Sequence, residues 1–94
     1  MYAVVRRYVG VSDPGEVGRQ VNEVFVPLIH QVQGFVSYYF VDAGDGVMVS
    51  TSVFQDSAGA AESTERALEF ARDRLAFLLP GPPQITVGEV VAHW

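Results

Sequence analysis

The sequence predicts an α+β fold with the element order βαββαβ, in which four antiparallel strands form one sheet and two helices cover one face of it. Three observations lead to this prediction. Residues 34–54 form two segments rich in Val, Phe, Tyr and Thr around a turn rich in Gly and Asp, as in a β-hairpin. Apolar residues recur at helical spacing before and after this hairpin. Alternating segments lie at both ends of the chain, whose 94 residues allow one domain, over residues 1–94.

The first strand is predicted over residues 2–9, and the first helix begins after Asp13. Asp13 suits the N-cap and Pro14 the first helical position. Glu16 lies in the first turn, where a carboxylate meets the positive end of the helix and can reach back to the cap. The apolar face of this helix consists of Val17, Val21, Val24, Phe25, Leu28 and Val32. We expect this face to pack against the sheet.

Two residues are expected to shape the later part of the first helix. Pro27 has no N–H group to donate, so the helix should bend, loosen or break near this position. Gly34 should end the helix by adopting the left-handed conformation that residues with a β-carbon avoid.

The hairpin register follows from a loop of even length centred on Gly44 and Asp45. On one face it places Phe35, Ser37, Tyr39 and Val41 opposite Phe54, Ser52, Ser50 and Met48. On the other face it places Val36, Tyr38 and Phe40 opposite Val53, Thr51 and Val49. Neither face is polar enough to remain in water, so we expect both to be covered.

A second helix, capped by Asp56 or Ser57, and a last strand over residues 84–93 complete the chain. The helix carries Ala60, Ala61, Ala67, Leu68, Ala71, Leu75, Leu78 and Leu79 toward the core, and the sequence Pro80-Gly81-Pro82-Pro83 ends it. Right-handed crossovers place both helices on the same side of a four-stranded sheet, which is the ferredoxin-like arrangement.

The second face of this sheet would be an apolar patch larger than soluble monomers usually expose. A symmetric homodimer that packs sheet against sheet would cover it, because one self-complementary surface then buries itself. The sequence therefore predicts a homodimer through the sheet face.

Composition and charge argue against several kinds of partner. The net charge is −5, and all six basic residues are arginines without a basic cluster, so we expect no nucleic-acid binding. Residues 24–41 carry no charge, but polar residues and Pro27 interrupt them, so no membrane span is predicted. Residues 2–9 read as a strand and not as a leader segment, which favours a cytoplasmic location. The chain has no cysteine, and its two histidines, His30 and His93, lack metal-ligand spacing.

Several junctions of the chain resemble a known family. They are Gln33-Gly34-Phe35, the pair Tyr38-Tyr39, and Ser52-Val53-Phe54 leading into the cap at Asp56-Ser57. With the βαββαβ order, they resemble the antibiotic biosynthesis monooxygenase (ABM) family of dimeric α/β barrel proteins. This resemblance implies a dimeric α/β barrel. Characterised members include oxygenases of polycyclic aromatic polyketides that need neither metal nor flavin, haem-degrading oxygenases and quinol oxygenases, and many members have no known activity.

The resemblance argues against haem. The haem-degrading branch uses Asn, Trp and His together, with the axial histidine on the second helix, whereas the second helix of this chain has no histidine and its first strand has no asparagine. We therefore expect no cofactor.

A cofactor-free oxygenase needs a dry cavity and a group that favours the deprotonated substrate. We predict a cavity between the helices and the hairpin face that carries Ser37, Tyr39, Ser50 and Ser52, with His93 at its end as the catalytic base. Other groups that could line or charge it are Tyr2, Arg6, Tyr38 and Trp94. Several of these groups also have an alternative role. The hydroxyl groups could bond to the backbone or to one another in a filled core, and the tyrosines could pack in the core or at an interface. Arg6 could form a cross-strand pair with Glu89.

Two functions remain open at this point. The first is cofactor-independent oxygenation of a small aromatic or quinone-like substrate. The second is a non-catalytic dimeric module, which binds a small apolar molecule or acts in a stress response, because a fold by itself does not fix a function.

Overall fold

The computed structural model describes residues 1–94 and has the predicted order of elements. The strands are β1 (Tyr2–Tyr8), β2 (Phe35–Gly44), β3 (Val47–Phe54) and β4 (Gln84–Glu89). The α-helices are α1 (Pro14–Gln20), α2 (Val26–His30) and α3 (Ser57–Arg74). A π-helical turn (Val21–Phe25) joins α1 to α2, and we call this continuous run, residues 14–30, the first helix.

The four strands form one antiparallel sheet in the order β2-β3-β1-β4. The long crossovers through the first helix and α3 place the first and last strands side by side. Because this is the ferredoxin-like arrangement, the predicted α+β fold is confirmed. β4 is shorter than expected. It pairs with β1 so that Arg6 lies opposite Ile85 and Tyr2 opposite Glu89. The predicted pairing of Arg6 with Glu89 is therefore wrong.

The first helix begins and loosens where the sequence predicts. Asp13 caps it by accepting a hydrogen bond from the Glu16 backbone N–H at 3.1 Å. Pro27 cannot donate to the carbonyl four residues earlier, and its ring crowds that group. The turn before Pro27 is wound more widely, and the backbone N–H of Val26 donates to the carbonyl of Val21. The helix thus accommodates Pro27 through a π-helical turn, a feature that is frequent at functional sites.

The predicted hairpin register is wrong beyond its first pair. Phe35 lies opposite Phe54 as expected, but an extra residue at Val36 shifts the strand, so that Tyr38 lies opposite Ser52 and Phe40 opposite Ser50. A β-bulge of this kind moves every later side chain to the other face. A second shift near Ala43 leads into a two-residue turn at Asp45 and Gly46, both with positive φ. The hairpin face beneath the helices therefore carries Tyr38, Phe40, Ser50 and Ser52.

The core fills the space between the helices and one face of the sheet. It consists of Val4, Val11, Val17, Val21, Phe25, Ile29, Val32, Met48, Phe54, Ala60, Ala67, Phe70 and Leu75. On α3, Asp56 caps the helix as predicted, but Ala61 and Leu68 face solvent and Phe70 is buried in the core. The predicted apolar face of α3 is therefore wrong at Ala61 and Leu68, and it lacks Phe70.

The other face of the sheet, which we call the open face, is not covered by any element of the chain. Ser37, Tyr39, Val41, Val49, Thr51 and Val53 lie on its hairpin part, opposite in direction to the buried residues of β3. Tyr39 is 68% exposed.

As for membranes, none of the helices combines the length and the apolar character that a span requires.

Candidate active site

A cavity lies between the first helix, α3 and the sheet. Of its fourteen lining residues, twelve are hydrophobic, and the other two are Arg6 and Ser50. β1 and β2 contribute Tyr8, Tyr38 and Phe40 to its floor. The side chain of Phe25, from the π-helical turn, packs against the ring of Tyr38 with a centroid distance of 5.6 Å. The alternation of the strands thus directs a few polar groups into a space that the first helix and α3 line with apolar side chains.

The cavity is small in this state, while a larger groove lies beside it. The cavity has a volume of about 20 Å³, enough for one water molecule. The second space, measured in the same way, has about 390 Å³ and lies between the first helix and β2. We call it the outer groove. Val21, Tyr38 and Phe40 line both spaces and therefore separate them. An aromatic ligand could enter the cavity only if these side chains or the first helix moved outward.

Arg6 is the charged group of the cavity. Arg6 is only 2% exposed, and it takes part in none of the ion pairs of the chain. Its guanidinium group donates to three hydroxyl oxygens, at 3.4 Å to Ser52, 3.3 Å to Ser63 and 3.0 Å to Thr64. Burial lowers the pKa of Arg6, and the neighbouring Tyr8 and Tyr38 oppose this shift. A buried cation without an anionic partner is unfavourable by on the order of several kcal/mol, so its presence here requires an explanation.

Tyr8 and Tyr38 place two phenol groups near this cation. Burial raises the pKa of Tyr8, and the charge of Arg6 partly opposes that shift. Burial also raises the pKa of Tyr38, with a further contribution from Tyr8, while Arg6 acts in the opposite direction. Both hydroxyl groups therefore keep their protons at neutral pH. A neutral phenol beside a cavity can donate a hydrogen bond to an oxygen atom of a ligand.

The structure separates the residues of the predicted site. Ser50 and Ser52 lie beneath the helices and are buried, and Ser50 lines the cavity. Ser37 and Tyr39 lie on the open face, because of the bulge at Val36. The prediction that these four residues share one face is thus wrong, while their role in substrate binding stays a prediction.

The histidines and the tryptophan lie away from the cavity. His93 is exposed in the segment after β4, with its Nδ1 atom 3.3 Å from the carbonyl oxygen of Trp94. Trp94 is also exposed. His30, at the end of α2, packs its ring against Phe35 at a centroid distance of 5.3 Å. The structure does not bring His93 to the cavity, and its role as a base stays a prediction.

The sequence contains a signal for a buried cation in β1. Arg6 and Arg7 are consecutive residues of one strand, so their side chains must point to opposite faces of the sheet. One of them therefore had to point toward the helices. Val4 and Tyr8 flank Arg6 on the same face, and Val4 is fully buried.

Comparison with known proteins shows a similarity of fold to several solved structures. Neither a family model nor any curated protein sequence matches the chain. Among solved structures, a mutant form of SnoaB from Streptomyces nogalater, a cofactor-independent oxygenase, is 16% identical with a TM-score of 0.75, over 98% of this chain and 94% of that one. The ActVA-Orf6 monooxygenase of Streptomyces coelicolor, in complex with nanaomycin D, is 20% identical with a TM-score of 0.71, over 98% and 92% of the two chains.

A third similar structure comes from Nitrosomonas europaea, a protein proposed to be an antibiotic biosynthesis monooxygenase. It is 15% identical with a TM-score of 0.76, over 96% of this chain and 89% of that one. Identities this low establish a common fold and leave activity open. The resemblance to the ABM family is thus confirmed at the level of the fold, which this chain shares along nearly its whole length with ABM-like monooxygenases.

Proposed function

We propose that this chain is an oxygenase that needs neither metal nor flavin and that oxidises a small aromatic or quinone-like substrate in the cavity beneath its helices. The observation that carries the proposal is the composition of the cavity, which is apolar apart from Arg6, Ser50 and the hydroxyl groups of Tyr8 and Tyr38. The shared fold with SnoaB and ActVA-Orf6 supports it.

The proposed chemistry needs little from the protein. A phenol or anthrone that loses a proton becomes electron-rich enough to react with O₂, and an apolar cavity protects the reactive anion from water. The positive charge of Arg6 would favour the deprotonated substrate, and the neutral hydroxyl of Tyr38 would donate a hydrogen bond to its oxygen.

For an anthrone-like substrate, the reaction converts a CH₂ group into a carbonyl group. The deprotonated carbon forms a bond to one atom of O₂, which gives a hydroperoxide after protonation. Loss of water then breaks the O–O bond and leaves a C=O group. One oxygen atom enters the product and the other leaves as water, while the substrate carbon supplies the four electrons that reduce O₂.

The predicted site residues enter this proposal in different ways. Ser50, which lines the cavity, is the proposed substrate contact, and the neighbouring Ser52 positions Arg6. Ser37 and Tyr39 would require a substrate at the open face. His93 remains the proposed base, and it could act only if the segment after β4 folded over a cavity.

The proposed assembly is a homodimer through the open face. The hairpin part of this face carries the exposed Tyr39 and Val41 and the half-buried Val49 and Val53, and no element of the chain covers them. Burial of such a surface stabilises association by about 25 cal/mol for each Å² of apolar area removed from water.

Oxygen consumption with a panel of anthrones and hydroquinones tests the proposed activity. We expect consumption by the wild-type protein, and a loss of on the order of 100-fold or more in Ala71→Phe, because a phenyl ring at this position would overfill the small cavity. Circular dichroism checks that this variant remains folded. The matched control is Ala61→Phe, which places the same ring on the exposed side of α3. Tight binding without oxygen consumption would instead support a non-catalytic binding module.

A further inference from the structure

Arg6 is held in one orientation by hydroxyl groups that are themselves fixed. The hydroxyl of Ser63 donates to the backbone carbonyl of Ala60 at 2.7 Å, and the hydroxyl of Thr64 donates to the same oxygen at 3.3 Å. The hydroxyl of Ser52 donates to the carbonyl of Val4 at 3.4 Å. Each hydroxyl has therefore used its hydrogen atom and can only accept from the guanidinium group.

These hydroxyl groups position Arg6 without neutralising it. They are uncharged, and the titratable groups that interact with Arg6 are Tyr8 and Tyr38, which are neutral when protonated. A guanidinium group has five N–H donors, and Arg6 makes three hydrogen bonds. Two N–H donors and the positive charge of Arg6 are thus left without a partner, and Arg6 lines the cavity.

A purely structural role does not account for this arrangement. Replacement of buried charged groups by apolar residues of similar volume is often neutral or stabilising, so an apolar side chain would serve the core at least as well as Arg6. The hydroxyl groups of two elements, β3 and α3, are instead directed at the cation. A positive charge that is held in place but not neutralised favours a ligand that carries a negative charge.

We propose that the cavity is an anion site in which Arg6 binds a single oxyanion, a carboxylate or a phenolate, carried by a small apolar ring. The inference rests on the cavity that the proposed function uses and extends it by stating the charge of the ligand. It does not require that the ligand be oxidised. Binding requires that the lining side chains or the first helix move outward, because the cavity holds only about one water molecule. It would bring the oxyanion to the free N–H donors of Arg6, while the ring would lie among the apolar side chains of Val21 and Phe25.

Calorimetric titration with benzoate and benzamide tests this proposal, because the two probes have nearly the same shape and differ in charge. We expect wild-type protein to bind benzoate at least tenfold more tightly than benzamide. Equal binding of both, or binding of neither, would overturn the anion site. The comparison uses only wild-type protein, so it holds even if a variant fails to fold.

Arg6→Met should abolish the preference for benzoate, with its folding checked by circular dichroism. Arg74→Met is the matched control, since Arg74 is exposed at the end of α3 and makes no ion pair; it should keep the preference. A preference that survives in folded Arg6→Met would rule out Arg6 as the binding group.

The absorbance of 4-nitrophenol distinguishes the two sources of the oxyanion. If the site accepts phenolates, wild-type protein should hold 4-nitrophenol in its ionised form at a pH where the free compound is mainly neutral. Ionisation on binding supports a phenolate ligand, and benzoate binding without it supports a carboxylate. If benzoate binds but none of the anthrones or hydroquinones is oxidised, the anion site stands and the oxygenase is ruled out. If oxygen is consumed but benzoate does not bind, the oxygenase stands and the anion site is ruled out.

Discussion

Tyr38 and Tyr39 are neighbouring tyrosines with opposite environments. Tyr38 points beneath the helices, next to Phe25 and the cavity, whereas Tyr39 lies on the open face. The difference results from strand alternation, and it makes the pair a natural comparison for the effect of burial on a phenol group.

Tyr38 should make the stability of the protein depend on pH in alkaline solution. Burial raises the pKa of Tyr38 in the folded state, so above about pH 10 the unfolded chain loses this proton while the folded chain keeps it. The free energy of unfolding should therefore fall as the pH rises above about 10, by at most about 1.4 kcal/mol per pH unit for this one group. Below pH 10 the group should have no effect.

Urea unfolding between pH 8 and pH 12 (roughly the range around the ordinary tyrosine pKa) measures this effect. Tyr38→Phe should reduce the alkaline decrease, and Tyr39→Phe should leave it as in the wild type. The same slope in all three proteins would contradict the assignment of the effect to Tyr38. Tyr8, whose pKa is also raised by burial, should keep part of the slope in Tyr38→Phe.

At the scale of elements, the first helix lines both the outer groove and the cavity. Its α1 segment provides Gly15 and Gly18 to the outer groove, and its π-helical turn provides Val21 to the wall between groove and cavity. A β-carbon added at Gly18 would meet no atom within 4 Å. Gly18 thus leaves this side of the groove open, although packing does not require a glycine at this position.

Gly18→Leu should slow the entry of substrate without harming the fold. Leu is a better helix former than Gly by roughly 0.5–1 kcal/mol, so stability should stay the same or rise. Its side chain would occupy the outer groove, and kcat/KM for a substrate of the cavity should fall by on the order of tenfold, which corresponds to about 1.4 kcal/mol. Gly18→Ala, with a single methyl group, is the control and should retain wild-type kcat/KM. Unchanged kinetics in Gly18→Leu would argue for another entrance.

At the scale of the whole molecule, the helices cover one face of the sheet, and no element of the chain covers the open face. The structure shows which substitutions test this point. Phe40 lines the cavity beneath the helices, so Phe40→Asp should disrupt the core and not the association of subunits. Val49 lies in the middle of the open face, on the central strand β3.

Val49→Asp should dissociate the proposed homodimer into folded monomers. Light scattering of the wild-type protein at micromolar concentration should give twice the chain mass of 10.3 kDa, and the variant should give the mass of one chain with an unchanged circular dichroism spectrum. A charge at this site would oppose burial of the face while costing little in a monomer, where it faces water. A wild-type mass of 10.3 kDa with an intact fold would remove the dimer from the proposal.

The starts of the first helix and of α3 follow from local chemistry, and the sequence predicted them. Asp13 and Asp56 accept hydrogen bonds at the helix starts. The predicted helix end at Gly34 is wrong, since α2 already ends at His30, although Gly34 does adopt positive φ directly before β2. The loosening at Pro27 also follows from the missing donor of one residue. Each of these features involves groups only a few residues apart, so their residue types suffice to indicate them.

The candidate site depended on which face each strand residue occupies, and only the tertiary structure decided that. One extra residue at Val36 moves Ser37 and Tyr39 from the face beneath the helices to the open face. A valine at this position does not indicate a bulge. The sequence required Arg6 or Arg7 to point toward the helices, but the choice was made by the pairing of β1 with β3 and by the hydroxyl groups of α3. The fold was thus determined by local patterns, whereas the buried cation and its cavity arise from contacts between residues more than forty positions apart.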